Sequence, residues 1–172
     1  MIDVRGERDS DGASIFEIEA AAFERRNEAN LVEALRRSAD PYLALVAEER
    51  GRIVGHIVFS PVEIESSSAM PRVAGLAPVA VAPAHQGRGI GSALVRAGLE
   101  RCREVGWRAV FLIGAPAYYG RFGFLLAAPG GFTYGDPLVD SVLQALELEP
   151  GALSGCSGRV CFHPAFAETG CG

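Results

Sequence analysis

Val79-Ala80-Val81-Ala82-Pro83-Ala84-His85-Gln86-Gly87-Arg88-Gly89-Ile90-Gly91-Ser92-Ala93-Leu94 is the stretch that decides how this chain is read. It passes from an apolar, β-branched segment through a glycine-rich turn into a segment whose apolar residues recur at helical spacing. From about Gly91 to Val105, the residues Leu94, Val95, Gly98, Leu99, Cys102 and Val105 form one stripe, so a helix buried along that stripe is expected, with Gly106 as its stop. The start of such a helix offers backbone N–H groups without helical partners and the positive end of the dipole. Glycines at 87, 89 and 91 let an anion approach those groups closely, and Arg88 adds a charge, which together describe a phosphate site.

Upstream, Leu76–Val81 reads as a strand, but Pro78 lies inside it and cannot donate to a ladder, so the pairing should be interrupted or splayed there. Downstream, Ala109–Ile113 is a second apolar strand. Strand, loop, helix and strand then form a βαβ unit with adjacent parallel strands and a right-handed crossover. Further out, Ile2–Arg5 is a short strand. Ser14 can cap a helix carrying Ile15, Ile18, Ala22 and Phe23 on one face, and a second helix over Glu28–Ser38 is stopped by Asp40-Pro41. Tyr42–Ala47 and Arg52–Ser60 form a hairpin through Glu48-Glu49-Arg50-Gly51, Val62–Glu65 extends the pattern, and Ser66-Ser67-Ser68 is a polar turn. After a short helix over Ala117–Phe122, two more strands are expected at Val142–Leu148 and Arg159–His163.

Composition narrows the function classes. A chain of 172 residues with 49% hydrophobic and 22% charged residues is expected to fold as one domain, residues 1–172. Its formal charge of -5 argues against a phosphate-backbone binder and favours a cationic partner, so nucleic acid is not expected. All sixteen basic residues are arginine, so the chain holds no lysine amine of its own to modify. The charged first twelve residues do not resemble a secretory signal, and no uncharged stretch reaches the roughly 18 apolar residues of a membrane span. A cytoplasmic protein away from membranes is expected. Cys102, Cys156, Cys161 and Cys171 lack C-x-x-C spacing; with His163 they imitate a metal cluster only loosely, so reduced thiols and no metal are expected.

The glycine loop lacks the Lys-Ser/Thr ending of a P-loop and the G-x-G-x-x-G spacing of a dinucleotide site. It resembles instead the Q/R-x-x-G-x-G/A signature of the GNAT superfamily of N-acetyltransferases. Tyr118-Tyr119-Gly120-Arg121-Phe122-Gly123-Phe124 is similar to that superfamily's Tyr-x-x-x-Gly-Phe segment. Gly55-His56-Ile57-Val58-Phe59-Ser60-Pro61-Val62 and Phe162-His163-Pro164-Ala165-Phe166 look like its YhbS-like branch. The resemblance covers nearly the whole chain and implies an α/β (α+β) fold: a mixed central sheet flanked by helices, with two parallel strands splayed to admit the pantetheine arm of acetyl-CoA.

It also implies roles. Val79, Ala80 and Val81 would line the pantetheine, with the Val79 amide as oxyanion donor. Gln86, Gly87, Arg88, Gly89, Ile90, Gly91 and Ser92 would hold the diphosphate. Tyr119, four residues before Gly123, would protonate the leaving thiolate, with Tyr118 competing for that role. Many relatives carry Asn near the end of the strand where this chain has Gly114-Ala115-Pro116, so that side-chain contact is not expected. Acyl transfer also needs a neutral amine, yet Leu76–Val81 holds no carboxylate. Glu63 and Glu65, acting through water, and His56 are the candidates for the base, although such carboxylates are more often exposed surface charges and a strand histidine more often a structural residue. The acceptor would be a small-molecule or peptide amine. A non-catalytic acyl-CoA sensor and transfer to an oxygen acceptor both stay open, as does a homodimer.

Overall fold

The computed structural model describes residues 1–65 and 71–172; the turn expected at Ser66–Ser68 lies outside them. Among the described residues nine strands form a mixed sheet: β1 (Ile2–Gly6), β2 (Leu43–Glu49), β3 (Arg52–Glu65), β4 (Val73–Val81), β5 (Ala109–Ile113), β6 (Leu125–Leu126), β7 (Phe132–Thr133), β8 (Leu143–Glu147) and β9 (Gly158–Cys161). The order is β1-β2-β3-β4-β5-β8-β6, with β9 joining β3 to β7. The chain packs as two compact units, one of Met1–Ser60, Ala77–Arg101 and His163–Gly172, the other of Pro61–Leu76 and Cys102–Phe162. Strands β3 and β4 run from one unit into the other.

In the first unit β1 and β3 flank β2 antiparallel, and the β2–β3 hairpin turns on Arg50 and Gly51, both at positive φ. The hairpin is the one expected, but β3 runs on without a break to Glu65 and absorbs Val62–Glu65. Helices α1 (Gly12–Phe23), α2 (Asn27–Ser38) and α3 (Ile90–Glu104) supply the apolar cover. Helix α1 begins two residues before the expected Ser14 cap, with Asp11 at its N-cap position. The Asp11 carboxylate accepts from Arg5 and from the Arg8 amide rather than from the helix end.

Its buried stripe also differs from expectation. Ile15, Ile18 and Glu19 are buried, whereas Phe23 is 38% exposed because the helix ends there and Glu24 turns left-handed at φ 55. Helix α3 docks closely on β3, since a side chain at Gly98 would run into the buried Phe59 ring and one at Gly55 would lie 3.0 Å from Leu94 Cδ1. The α3 stripe is confirmed through Cys102, but Val105 lies past the helix and is 37% exposed. The helix stops as a Schellman motif: Trp107 N donates to Cys102 O (3.0 Å) and Gly106 N to Arg103 O (3.1 Å), with Gly106 at φ 86.

In the second unit β4 pairs parallel with β5, and β5 pairs antiparallel with β8. The paired positions of β4 and β5 run only from Val73↔Ala109 to Gly75↔Phe111, so the ladder ends ahead of Pro78. Strand β4 starts three residues earlier than expected, since Val73 and Ala74 are buried apolar residues that complete this ladder. The core joins Phe111 edge-on to Phe132 (centroids 5.2 Å apart), with Val62, Ile64, Val73, Leu143 and Val160 around them. The two tail strands are present, shortened to β8 and β9. The two-residue strands β6 and β7 have no counterpart in the sequence reading, being too short for alternation to register. Helix α4 (Pro116–Tyr119) and the 3-10 turn Gly120–Phe122 replace the single helix expected over Ala117–Phe122; α5 (Pro137–Asp140) and α6 (Ala165–Glu168) are one-turn helices.

Candidate active site

The glycine loop is shaped by its own backbone. After β4, Ala82 N donates to Val54 O (2.9 Å), Pro83–His85 forms a 3-10 turn, and the Gln86 side-chain amide returns to Val81 O (3.0 Å). Gly87 and Gly89 take φ values of 74° and 80°, which only glycine adopts without strain, and a side chain at either would meet nothing within 4 Å. Ile90 anchors the start of α3 in the core at 2% exposure, and Ala93 N bonds back to Gly89 O (3.0 Å). The first turn of α3, including Gly91 and Ser92, carries the N–H groups of the helix end. Along the preceding strand Ala80 is buried while Val79 and Val81 are half-buried, as alternation requires.

Arg88 stands beside this loop, paired with Glu49 at the end of β2: Nη2–Oε1 is 2.6 Å and Nη1–Oε2 is 3.2 Å. The pair holds the Glu49 carboxyl below its usual range. His85 Nε2 lies 3.5 Å from Glu49 Oε2.

In the second unit Tyr119 ends α4. Its ring packs edge-on to Tyr118 (4.9 Å) and to Phe124 (6.0 Å). Gly114 makes this packing possible, since a Cβ there would lie 2.6 Å from Tyr119 Cε2. Where the resemblance led one to look for Asn, this chain has a glycine that accommodates the tyrosine ring. Gln144, buried within β8, fixes that corner by donating to Gly114 O (2.9 Å); its position amid Leu143, Ala145 and Leu146 was the only signal of it in the sequence. Burial, helped by Tyr118, pushes the Tyr119 phenol up to about 12, and its hydroxyl has no hydrogen-bond partner among the described residues. Tyr118 instead lies under the Arg121 guanidinium (4.6 Å), and Arg121 Nε donates to Tyr118 O (2.9 Å), so Arg121 is engaged on its own turn.

Of the candidate bases, Glu63 and Glu65 are exposed residues of β3 facing β9. His56 is fully buried. Its Nδ1 lies 2.7 Å from Glu19 Oε1 on α1 and its Nε2 lies 3.1 Å from Glu7 Oε2. Glu7 also accepts from Arg36 Nε (2.5 Å) and the Tyr42 hydroxyl (2.8 Å). Desolvation works against the charged imidazole, but the two carboxylates outweigh it and the His56 pKa is raised. Burial raises that of Glu19 despite His56, while the bonds from His56, Arg36 and Tyr42 overcome desolvation and lower Glu7 to about 2. The histidine thus braces α1 and the residue that follows β1 against β3. Neither glutamate was singled out in the sequence, where both look like surface charges. Among the described residues no cluster of His, Cys, Asp or Glu could hold a metal, and no helix is long and apolar enough to cross a membrane.

Known proteins match this architecture. Residues 3–127 fit the acetyltransferase (GNAT) domain family. The chain is 36% identical over 164 residues to the uncharacterized N-acetyltransferase YhbS of Escherichia coli K12, covering 95% of this chain and 97% of that protein. The crystal structure of E. coli YhbS in complex with CoA superposes with a TM-score of 0.89, covering 96% of this chain and 92% of that one. A GNAT acetyltransferase of Brucella melitensis in complex with acetyl-CoA matches at 39% identity and a TM-score of 0.79, over 96% and 98% of the two chains. The chain belongs to the GNAT family of N-acetyltransferases and shares the fold of its YhbS branch.

Proposed function

We propose that residues 1–172 act as one acetyltransferase domain that moves the acetyl group of acetyl-CoA directly to a primary amine of a small molecule or peptide. The observation that carries this reading is the open, positive-φ turn at Gly87 and Gly89 leading into α3, in the sequence context of the family signature. The CoA and acetyl-CoA held by the two related structures support it. In this reading Gln86, Gly87, Arg88, Gly89, Ile90, Gly91 and Ser92 hold the diphosphate, and the backbone of Val79, Ala80 and Val81 lines the pantetheine. The neutral amine attacks the thioester carbonyl, the Val79 amide receives the developing oxyanion, and the C–S bond breaks. Tyr119 supplies a proton to the departing thiolate.

The amine proton leaves through water, since Ala77–Val81 carries no ionisable side chain and His56 is sealed in its own network. That same lack of a base favours a second reading, an acyl-CoA sensor without turnover. The acidic charge suits a cationic acceptor and disfavours nucleic acid, and four free cysteines suit the reducing cytoplasm. Calorimetric titration with acetyl-CoA tests the cofactor, and free-thiol release across a panel of amines tests turnover. Absence of both binding heat and thermal shift at high micromolar acetyl-CoA refutes the cofactor assignment. Binding with no thiol release from any amine selects the sensor.

A further inference from the structure

We propose that Glu49 is a built-in competitor for the cofactor: it pairs with Arg88, and a phosphate of CoA displaces it from that guanidinium. The inference rests on the reading of the glycine loop as the CoA site. Glu49 comes from β2, not from the loop, and the two residues are 39 positions apart in sequence, so only the tertiary structure brings them together. A carboxylate gripped by both terminal nitrogens of an arginine has the geometry of a phosphate gripped by the same nitrogens. The same carboxylate lies 3.5 Å from His85 Nε2, and with Arg88 it thus closes on the Pro83–Arg88 turn at two points.

The contact is easily exchanged. The Arg88 side chain is 47% exposed and that of Glu49 is 18% exposed, so the pair is a surface bridge whose loss costs little. Arg88 is therefore poised to turn from one anion to another. Two consequences share one direction. Turning Arg88 to a phosphate forfeits the Glu49 bond, and it leaves a bare carboxylate beside an anionic ligand. Glu49 accordingly lowers the affinity for CoA.

Titration calorimetry with CoA on the full chain tests this with the native protein, Glu49→Gln, Arg88→Ala and Glu48→Gln. Glu48 neighbours Glu49 on β2 but pairs with Arg5 (2.9 Å), so Glu48→Gln removes the same net charge away from the loop. Glu49→Gln should bind CoA about two- to fivefold more tightly than the native protein. Arg88→Ala should bind about tenfold more weakly, and Glu48→Gln should match the native protein. A crystal structure with CoA should show the Arg88 guanidinium on a phosphate and off Glu49.

Equal or weaker binding by Glu49→Gln would overturn the proposal and make Glu49 a support for Arg88. Unchanged binding by Arg88→Ala overturns it too, as does an equal gain from Glu48→Gln, which would reduce the effect to net charge. If the native protein and all variants, each folded by circular dichroism, fail to bind CoA, the loop assignment itself falls. That result is distinct from a loop that binds CoA without responding to Glu49.

Discussion

Replacing Tyr119 by Phe removes one hydroxyl and leaves the ring packed edge-on to Tyr118 and Phe124. Because that hydroxyl has no partner among the described residues, the folded state loses no internal bond, and stability should change by less than about 0.5 kcal/mol. The catalytic cost is set by the surroundings. They raise the phenol from 10.0 to about 12, so a negative charge at this position is disfavoured by about 3 kcal/mol relative to water. A thiolate leaving beside the ring meets a similar penalty unless a donor stands by. Losing the donor should therefore slow turnover by about 100-fold, within the range expected for a general acid.

The assay is acetyl-CoA-dependent thiol release under saturating amine, with acetyl-CoA affinity measured separately by calorimetry. Turnover should fall by that factor while the Kd moves less than about twofold. The raised phenol also stays protonated through the neutral range, so the native pH–rate profile should show no descending limb from Tyr119 below about pH 11. If Tyr119→Phe keeps more than half of native turnover, the proton comes from elsewhere, and Tyr118→Phe becomes the next variant to test.

His56→Ala strands the Glu19 carboxylate in the interior and takes one of three partners from Glu7, and it should cost about 3–5 kcal/mol in denaturant unfolding; a loss below 1 kcal/mol would show that water fills the gap. Adding Glu19→Gln to that variant should restore part of the loss by removing a buried charge. The pH dependence follows from the same network. His56 and Glu19 are raised, so their contribution is present at low pH and is lost as pH climbs through their folded-state values. Glu7 is lowered to about 2, so its contribution is present above about 4.5 and is lost as pH falls toward 2. Thermal melts should place the maximum on the acid side of neutrality, and His56→Ala should flatten the alkaline decline; an unchanged slope would contradict this. Gly98→Ala drives a methyl into the Phe59 ring, with overpacking of about 1–3 kcal/mol set against a helix-propensity gain of about 1 kcal/mol. A net loss of stability that Phe59→Leu relieves would confirm the close α3–β3 contact.

Local features of the chain were legible because their causes are local. Glycine at 87 and 89, apolar spacing from Leu94 to Cys102, and a following run of buried residues at Ala109–Ile113 dictate the turn, the helix and the strand through backbone sterics and periodicity. Those elements were enough to identify the family. The hairpin at Arg50-Gly51 was legible for the same reason. What the sequence could not settle is which charges meet. Glu19 has the composition of a helix surface residue, yet it is fully buried because α1 lays it on His56, 37 positions away. Glu7 meets His56 across 49 positions, and Glu49 meets Arg88 across 39. An ion pair at such separations carries no periodic signal, and it exists only because tertiary packing brings α1, strands β1 to β3 and the loop after β4 together. Sequence determined where an anion-binding turn would form; the register of the strands decided which carboxylate would face it.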